Sequence, residues 1–299
     1  MTHDPLEPAE LFSHVEDATY FHVPRFLTSE EDHGHIDIPQ PFQPEEPLYE
    51  AHTGNELVDR TIQPLDLKIT KFMVLEVIAA VIVAVLFIWV AGRMRGGERP
   101  RGRIWNLLEV FLLFFRDHVA RPCIGHEADR FMPLLWTLFF FILGCNLLGM
   151  VPWMGSPTGS LSVTGTLALI AFAATVVTGM KKLGPVGFWK AQVPHLDVPG
   201  PLKIVLIPMI FVIEIFGLLI KHAVLGVRLL ANMMAGHVVL AVIIAFIGAA
   251  TGPIWYAVAP ASIAGAAALG LLELFVAFLQ AYIFVFLSAL FIGMAVHPH

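Results

Sequence analysis

From residue 71 onward the chain is a succession of long apolar runs separated by short polar breaks, whereas residues 1–70 contain no such run. The first run, Phe72–Ala91, has Glu76 near its start and is long enough to cross a bilayer as a helix. Residues 104–121 follow with apolar side chains at helical spacing, interrupted by Glu109, Arg116, Asp117 and Arg121. That segment is too charged to span and predicts an amphipathic helix lying at the membrane interface. Phe131–Pro152, with Asn146 inside it, predicts a second span. A turn over 153–160 with Gly155, Pro157 and Gly159 leads to a third, Leu161–Met180. Residues 204–249 are then apolar but for Glu214, Lys221, His222, Arg228, Asn232 and His237. As one helix that run is about 69 Å long against a hydrocarbon core of about 30 Å, so it either breaks or crosses at a steep slant. Thr251, Gly252 and Pro253 end it, and a last run, 254–296, follows with Glu273 and Gln280 inside. The pattern predicts an all-α membrane protein. It has about five transmembrane helices and one interfacial amphipathic helix, and the last two helices are long, slanted and antiparallel.

Composition excludes the main alternative. The chain is 57% apolar and 14% charged, with a mean hydropathy of +0.75. Soluble domains run at about 45–50% apolar and about 25% charged, so a soluble enzyme of this size could not cover its own surface. Cys123 and Cys145 fall in different surroundings and predict neither a disulfide nor a zinc site.

Charge divides the chain in two and orients it. Residues 1–70 hold 15 acids and 3 bases, and the remainder holds 9 acids and 15 bases. The head, rich in proline and without a secretory signal, reads as an extended, loosely folded segment. Its histidines (His3, His14, His22, His33, His35 and His52) show no regular ligand spacing, so neither a metal nor a cofactor is expected. Directly after the first span come Arg93, Arg95, Arg99, Arg101 and Arg103, and after the third come Lys181, Lys182, Lys190 and Lys203. Basic loops collect on the cytoplasmic side. The acidic head, residues 1–70, is therefore expected outside the cytoplasm and dispensable for ion flow. The body, 71–299, forms the membrane domain, and the C-terminus is cytoplasmic.

The polar groups inside the spans mark the candidate site. A guanidinium in a bilayer costs roughly 3 kcal/mol on insertion scales, and more than 10 on some simulation estimates. It cannot escape by losing its proton. Arg228 has no acid at the helical neighbour positions Val224, Leu225, Ala231 and Asn232, so its charge must face another helix, water or a partner protein. Glu214 lies within about 40° of the same face, about 21 Å away along the axis. His237 falls on nearly the opposite face, about 13 Å beyond Arg228. Glu273 and Gln280, seven residues apart, share a face of the last helix. Ionisable residues in spans are functional by default, and these have the make-up of a proton path.

The segment IEIFGLLIKHAVLGVRLLANMMAGH, 213–237, resembles subunit a of the F-type ATP synthases, with Arg228 followed by Leu229, then Asn232-Met233, then Ala235-Gly236. PLLWTLFFFILGCNLLGMVPW (133–153), SPTGSLSVTGTLAL (156–169) and LLELFVAFLQAYIFVFL (271–287) resemble the same family. The resemblance covers roughly residues 71–296. It implies that Arg228 is the essential stator arginine and that Gln280 faces it from the last helix. Glu214 becomes the acid on the cytoplasmic side, and Asn232 the asparagine one turn past the arginine. His237 and Glu273, with Asn146, line the non-cytoplasmic access path. In some relatives the acid stands first and the histidine second; here the two are exchanged together. His222 stands where many relatives carry proline.

The resemblance further implies a non-catalytic, proton-translocating subunit in a bacterial inner membrane. Its partners would be the ring of c subunits, the peripheral-stalk subunit b and membrane lipid, with no nucleic acid. An ion-coupled secondary transporter would instead predict internal repeats around a midplane site, and none is seen. A membrane hydrolase would need a constellation such as HExxH or GxSxG, which is absent from the sequence.

Overall fold

A computed structural model describes residues 17–22, 35–40, 68–95, 102–151, 154–193 and 200–297. The loosely folded reading of the head falls largely outside these residues, as do Arg99 and Arg101. The described part of the head is ordered by backbone pairing. Strand β1, Tyr20–His22, runs antiparallel to β2, His35–Asp37. The pair is tied to the start of the membrane domain. The Gln40 amide bonds both the N–H and the C=O of Ile69 at 2.8 Å, and Lys71 N–H donates to Ala18 O at 2.8 Å. Asp17 Oδ1 accepts from Phe72 N–H at 3.3 Å and so satisfies one of the free amides at the start of the first helix.

That helix, α1, spans Lys71–Arg95. After it come α2, Arg103–Phe114, a π-helical turn, Phe115–Ala120, and α3, Arg121–Ile124. Gly125, at φ 81°, turns the chain through a 3-10 turn, Gly125–Glu127, into α4, Ala128–Gly149. A 3-10 turn at Pro157–Gly159 precedes α5, Leu161–Leu183. A short α6, Pro185–Ala191, leads to α7, Gly200–Ala249, and the 3-10 turn Gly252–Ile254 connects it to α8, Trp255–Val296. Five helical runs are long and apolar enough to cross a membrane.

The amphipathic segment 104–121 divides as its charges demand. Arg116 pairs with Asp129 and Arg121 with Asp117, each at 2.8 Å, so the charged groups meet near the 125–127 turn. Its aromatic face turns inward, where Phe115 packs on Phe139 with ring centroids 4.4 Å apart. Trp136 Nε1–H donates to Leu112 O at 3.3 Å, where the α-helix passes into the π turn.

The run 204–249 does not break: α7 is continuous for 50 residues, with Pro208 inside its early turns. At about 1.5 Å per residue it is about 75 Å long, and an apolar helix of that length fits a bilayer only at a steep slant. Helix α8 returns antiparallel to it and also packs against α3, α4 and α5. Small residues Ala277, Ala281 and Ala289 on its buried face let the neighbouring backbones approach closely. The core that results, around Phe139, Leu225, Leu229, Phe284 and Ile292, supports the site described next.

Candidate functional site

At the end of the bundle nearest the 154–160 turn, α7 and α8 bring two ionisable groups together. His237 Nδ1 lies 3.3 Å from Glu273 Oε1 and 2.8 Å from Met233 O, and its Nε2 lies 2.9 Å from Gly149 O on α4. Both ring nitrogens thus face oxygen acceptors. A neutral imidazole carries one N–H and an imidazolium two, so only the protonated ring donates on both sides. In that state it faces the Glu273 carboxylate. The carboxylate fits because residue 236 is glycine: a Cβ there would stand 2.8 Å from Glu273 Oε1.

A chain of neutral groups lies one helical turn from this pair on α4 and α8. Asn146, fully buried, donates through Nδ2 to Ala277 O at 3.1 Å and accepts through Oδ1 from Thr158 Oγ1 at 2.8 Å. Thr158 in turn lies 2.9 Å from Ser156 Oγ. Neither Ser156 nor Thr158 was singled out in the sequence, where they read only as turn residues; the signal available was a hydroxyl pair close after a span that holds a buried asparagine. Glu273 Oε1 and Gln280 Nε2 are buried and have no hydrogen-bond partner among the described residues. An unsatisfied buried polar group costs about 1–3 kcal/mol, so the Gln280 amide calls for water or a partner side chain, while Glu273 Oε1 has the His237 ring beside it at 3.3 Å.

Arg228 is exposed on α7 in the isolated chain, and it forms no ion pair or hydrogen bond with any described residue. The α7 surface around it is apolar: Ile220, Val224 and Val227 are each about half exposed. Asn232, one turn on, is half-buried, and Gln280 is buried on α8. The structure brings His237, Glu273 and Asn146 into one neighbourhood, while Arg228 and Glu214 stand apart from it and from each other.

Glu214 lines a separate cavity of ≈ 320 Å³ toward the C-terminal end of α8, together with Lys221, Gln192, Thr175 and His297. His222 lies behind one wall of it. Its Nδ1 is 2.9 Å from Leu218 O and its Nε2 3.3 Å from Thr175 Oγ1, and its ring sits between Phe172 and Phe291. A hydrogen-bonded, aromatic-packed histidine of this kind holds α5, α7 and α8 together. Between the Glu214 cavity and the His237 pair, the inward face of α7 is closed by Leu225, Leu229 and Met233, each at most 1% exposed.

The fold and these groups define a multi-pass helical membrane protein with two separate polar regions inside its apolar body. Residues 73–293 match the family described as the ATP synthase A chain, and the chain belongs to that family. It is 47% identical over 240 residues to ATP synthase subunit a of Myxococcus xanthus, covering 79% of this chain and 76% of that one. It is 44% identical to the subunit a of Chloroherpeton thalassium over 77% of this chain and 67% of that one. With an Anaeromyxobacter subunit a the identity is 36% over 99% of this chain and 72% of the relative.

Proposed function

We propose that this chain is the stator of the proton motor in an F-type ATP synthase, forming two half-channels that load and unload protons on a ring of c subunits. Family membership supports its assembly in an ATP synthase complex. The observation that carries the half-channels is the apolar closure at Leu225, Leu229 and Met233, which separates the Glu214 cavity from the His237–Glu273 pair while Arg228 stands at the same level on the exposed flank of α7.

The physics of the cycle follows from this arrangement. A proton entering from the non-cytoplasmic side passes Ser156, Thr158 and Asn146 and reaches His237 and Glu273. It is handed to a carboxylate of the passing ring. Once neutral, that acid can move into lipid, because burying it costs far less than burying the anion. After nearly a full turn it meets the second half-channel and gives its proton to the cavity at Glu214. Arg228 lies between the two routes. Its permanent charge favours the ionised carboxylate and repels a proton that would otherwise run straight through. Gln280 and Asn232 supply neutral hydrogen-bonding groups beside that step. Each charge moved through 100 mV releases about 2.3 kcal/mol, which biases the rotation. The chain itself is non-catalytic; nucleotide chemistry belongs to other subunits. Residues 1–70 lie outside the cytoplasm of a bacterial inner membrane, the C-terminus is cytoplasmic, and subunit b of the peripheral stalk holds the stator against the ring's torque.

The test is Arg228→Ala in inverted membrane vesicles. ATP-driven proton pumping and proton-driven ATP synthesis are both expected to fall to background with the complex still assembled. Survival of both would overturn the reading.

A further inference from the structure

The first turn of α4 and the last turn of α5 enclose a cleft of ≈ 350 Å³ that the proton path does not use. Its walls include Glu127, Arg130, Lys181 and Lys182, three cations against one acid, with Phe131 and Val177 as an apolar side. The acid is already engaged, since Lys182 Nζ lies 2.9 Å from Glu127 Oε1. Two further acids beside the 125–127 turn are engaged too: Asp129 with Arg116, and Asp117 with Arg121. Arg130 and Lys181 are left without an ion pair among the described residues, and both point their surplus charge at the same cleft.

The surroundings specify what fills it. Val177 and Ile170, seven residues apart on α5, are 47% and 43% exposed and share one outward apolar face leading away from the cleft into the span. An occupant must therefore carry negative charge at one end and hydrocarbon at the other. A headgroup bearing its own ammonium would oppose the two surplus cations. We propose that this cleft binds an anionic phospholipid, its phosphate held by Arg130 and Lys181 and one acyl chain lying along Val177 and Ile170. Basic pockets between helices on the cytoplasmic side take such headgroups because the phosphate gains two charge-assisted contacts while its chains stay in lipid. The inference rests on the membrane placement proposed above, and it is independent of the proton path.

The test uses the purified, detergent-solubilised and delipidated ATP synthase, titrated with phosphatidylglycerol or phosphatidylcholine, with retained lipid counted by native mass spectrometry. The wild-type complex and Lys190→Gln, an exposed lysine outside the cleft, are expected to retain one phosphatidylglycerol. The Arg130→Gln/Lys181→Gln double variant is expected to bind it about tenfold more weakly. Phosphatidylcholine binding should not differ among the three. Arg228→Ala should retain the lipid, so failure of the motor reading would not register here. Equal retention by the double variant would overturn the proposal. So would displacement of the lipid by millimolar inorganic phosphate, or zero-length cross-linking of Lys181 to an acidic residue of another stator subunit.

Discussion

His237 and Glu273 meet across the α7–α8 interface with Nδ1 3.3 Å from Oε1, while the opposite ring nitrogen of His237 faces Gly149 O on α4 at 2.9 Å. One imidazole therefore joins three helices, with one carboxyl group beside it. Exchanging the two residues keeps one basic and one acidic group at the contact, whereas replacing either alone sets two groups of the same kind against each other. The double variant His237→Glu/Glu273→His is expected to retain several-fold more ATP-driven pumping than His237→Glu or Glu273→His alone. A double exchange no better than the worse single change would show that position, not pairing, matters at each site.

Gly236→Ala tests the space the carboxylate needs. The added Cβ would stand 2.8 Å from Glu273 Oε1, so the carboxyl group must shift from its place beside His237 to accommodate it. Proton translocation is expected to fall about tenfold, the equivalent of about 1.4 kcal/mol, without loss of assembled complex. Unchanged pumping rates in vesicles would count against a role for this contact.

Gly226→Leu should fail differently. A Cβ at 226 would stand 2.8 Å from Thr164 O, which is backbone of α5 and cannot rotate away as a side chain can. The expected outcome is loss of the subunit from the membrane, read by immunoblot before any activity is measured. A fully assembled variant would show that α5 and α7 tolerate separation here.

Thr158→Val interrupts the hydroxyl chain and leaves Asn146 Oδ1 without its donor at almost constant side-chain volume. Proton uptake from the non-cytoplasmic side is expected to slow several-fold. Passive proton flow in vesicles stripped of the soluble sector is the measurement, and Thr158→Ser should restore it. Equal flow in the valine and serine variants would remove Thr158 from the path.

Asp17→Ala separates anchoring from transport. It removes the carboxylate that accepts from Phe72 N–H at the start of α1, a cap worth about 0.5–2 kcal/mol. Thermal stability of the complex is expected to drop slightly with pumping rates unchanged. A parallel fall in pumping would make the head part of the proton entrance.

The spans were legible from the order of residues, because a bilayer demands about 20 apolar residues per crossing whatever the neighbours are. The sequence also singled out Arg228, since a cation inside an apolar span with no acid one helical turn away is costly, and it placed Glu273 and Gln280 on one face, because helical periodicity is local. What those faces meet became visible only in the packed fold. That His237 turns to both Gly149 O and Glu273, that Asn146 reaches Ser156 through Thr158, and that α7 stays unbroken are set by packing between segments, with close approaches at Gly149 and Gly236. The short β1–β2 pairing was equally hidden, since three-residue strands leave too little alternation to detect. Hydropathy is a property of each segment alone, whereas a hydrogen bond between helices far apart in sequence exists only once their packing has fixed the distance between donor and acceptor.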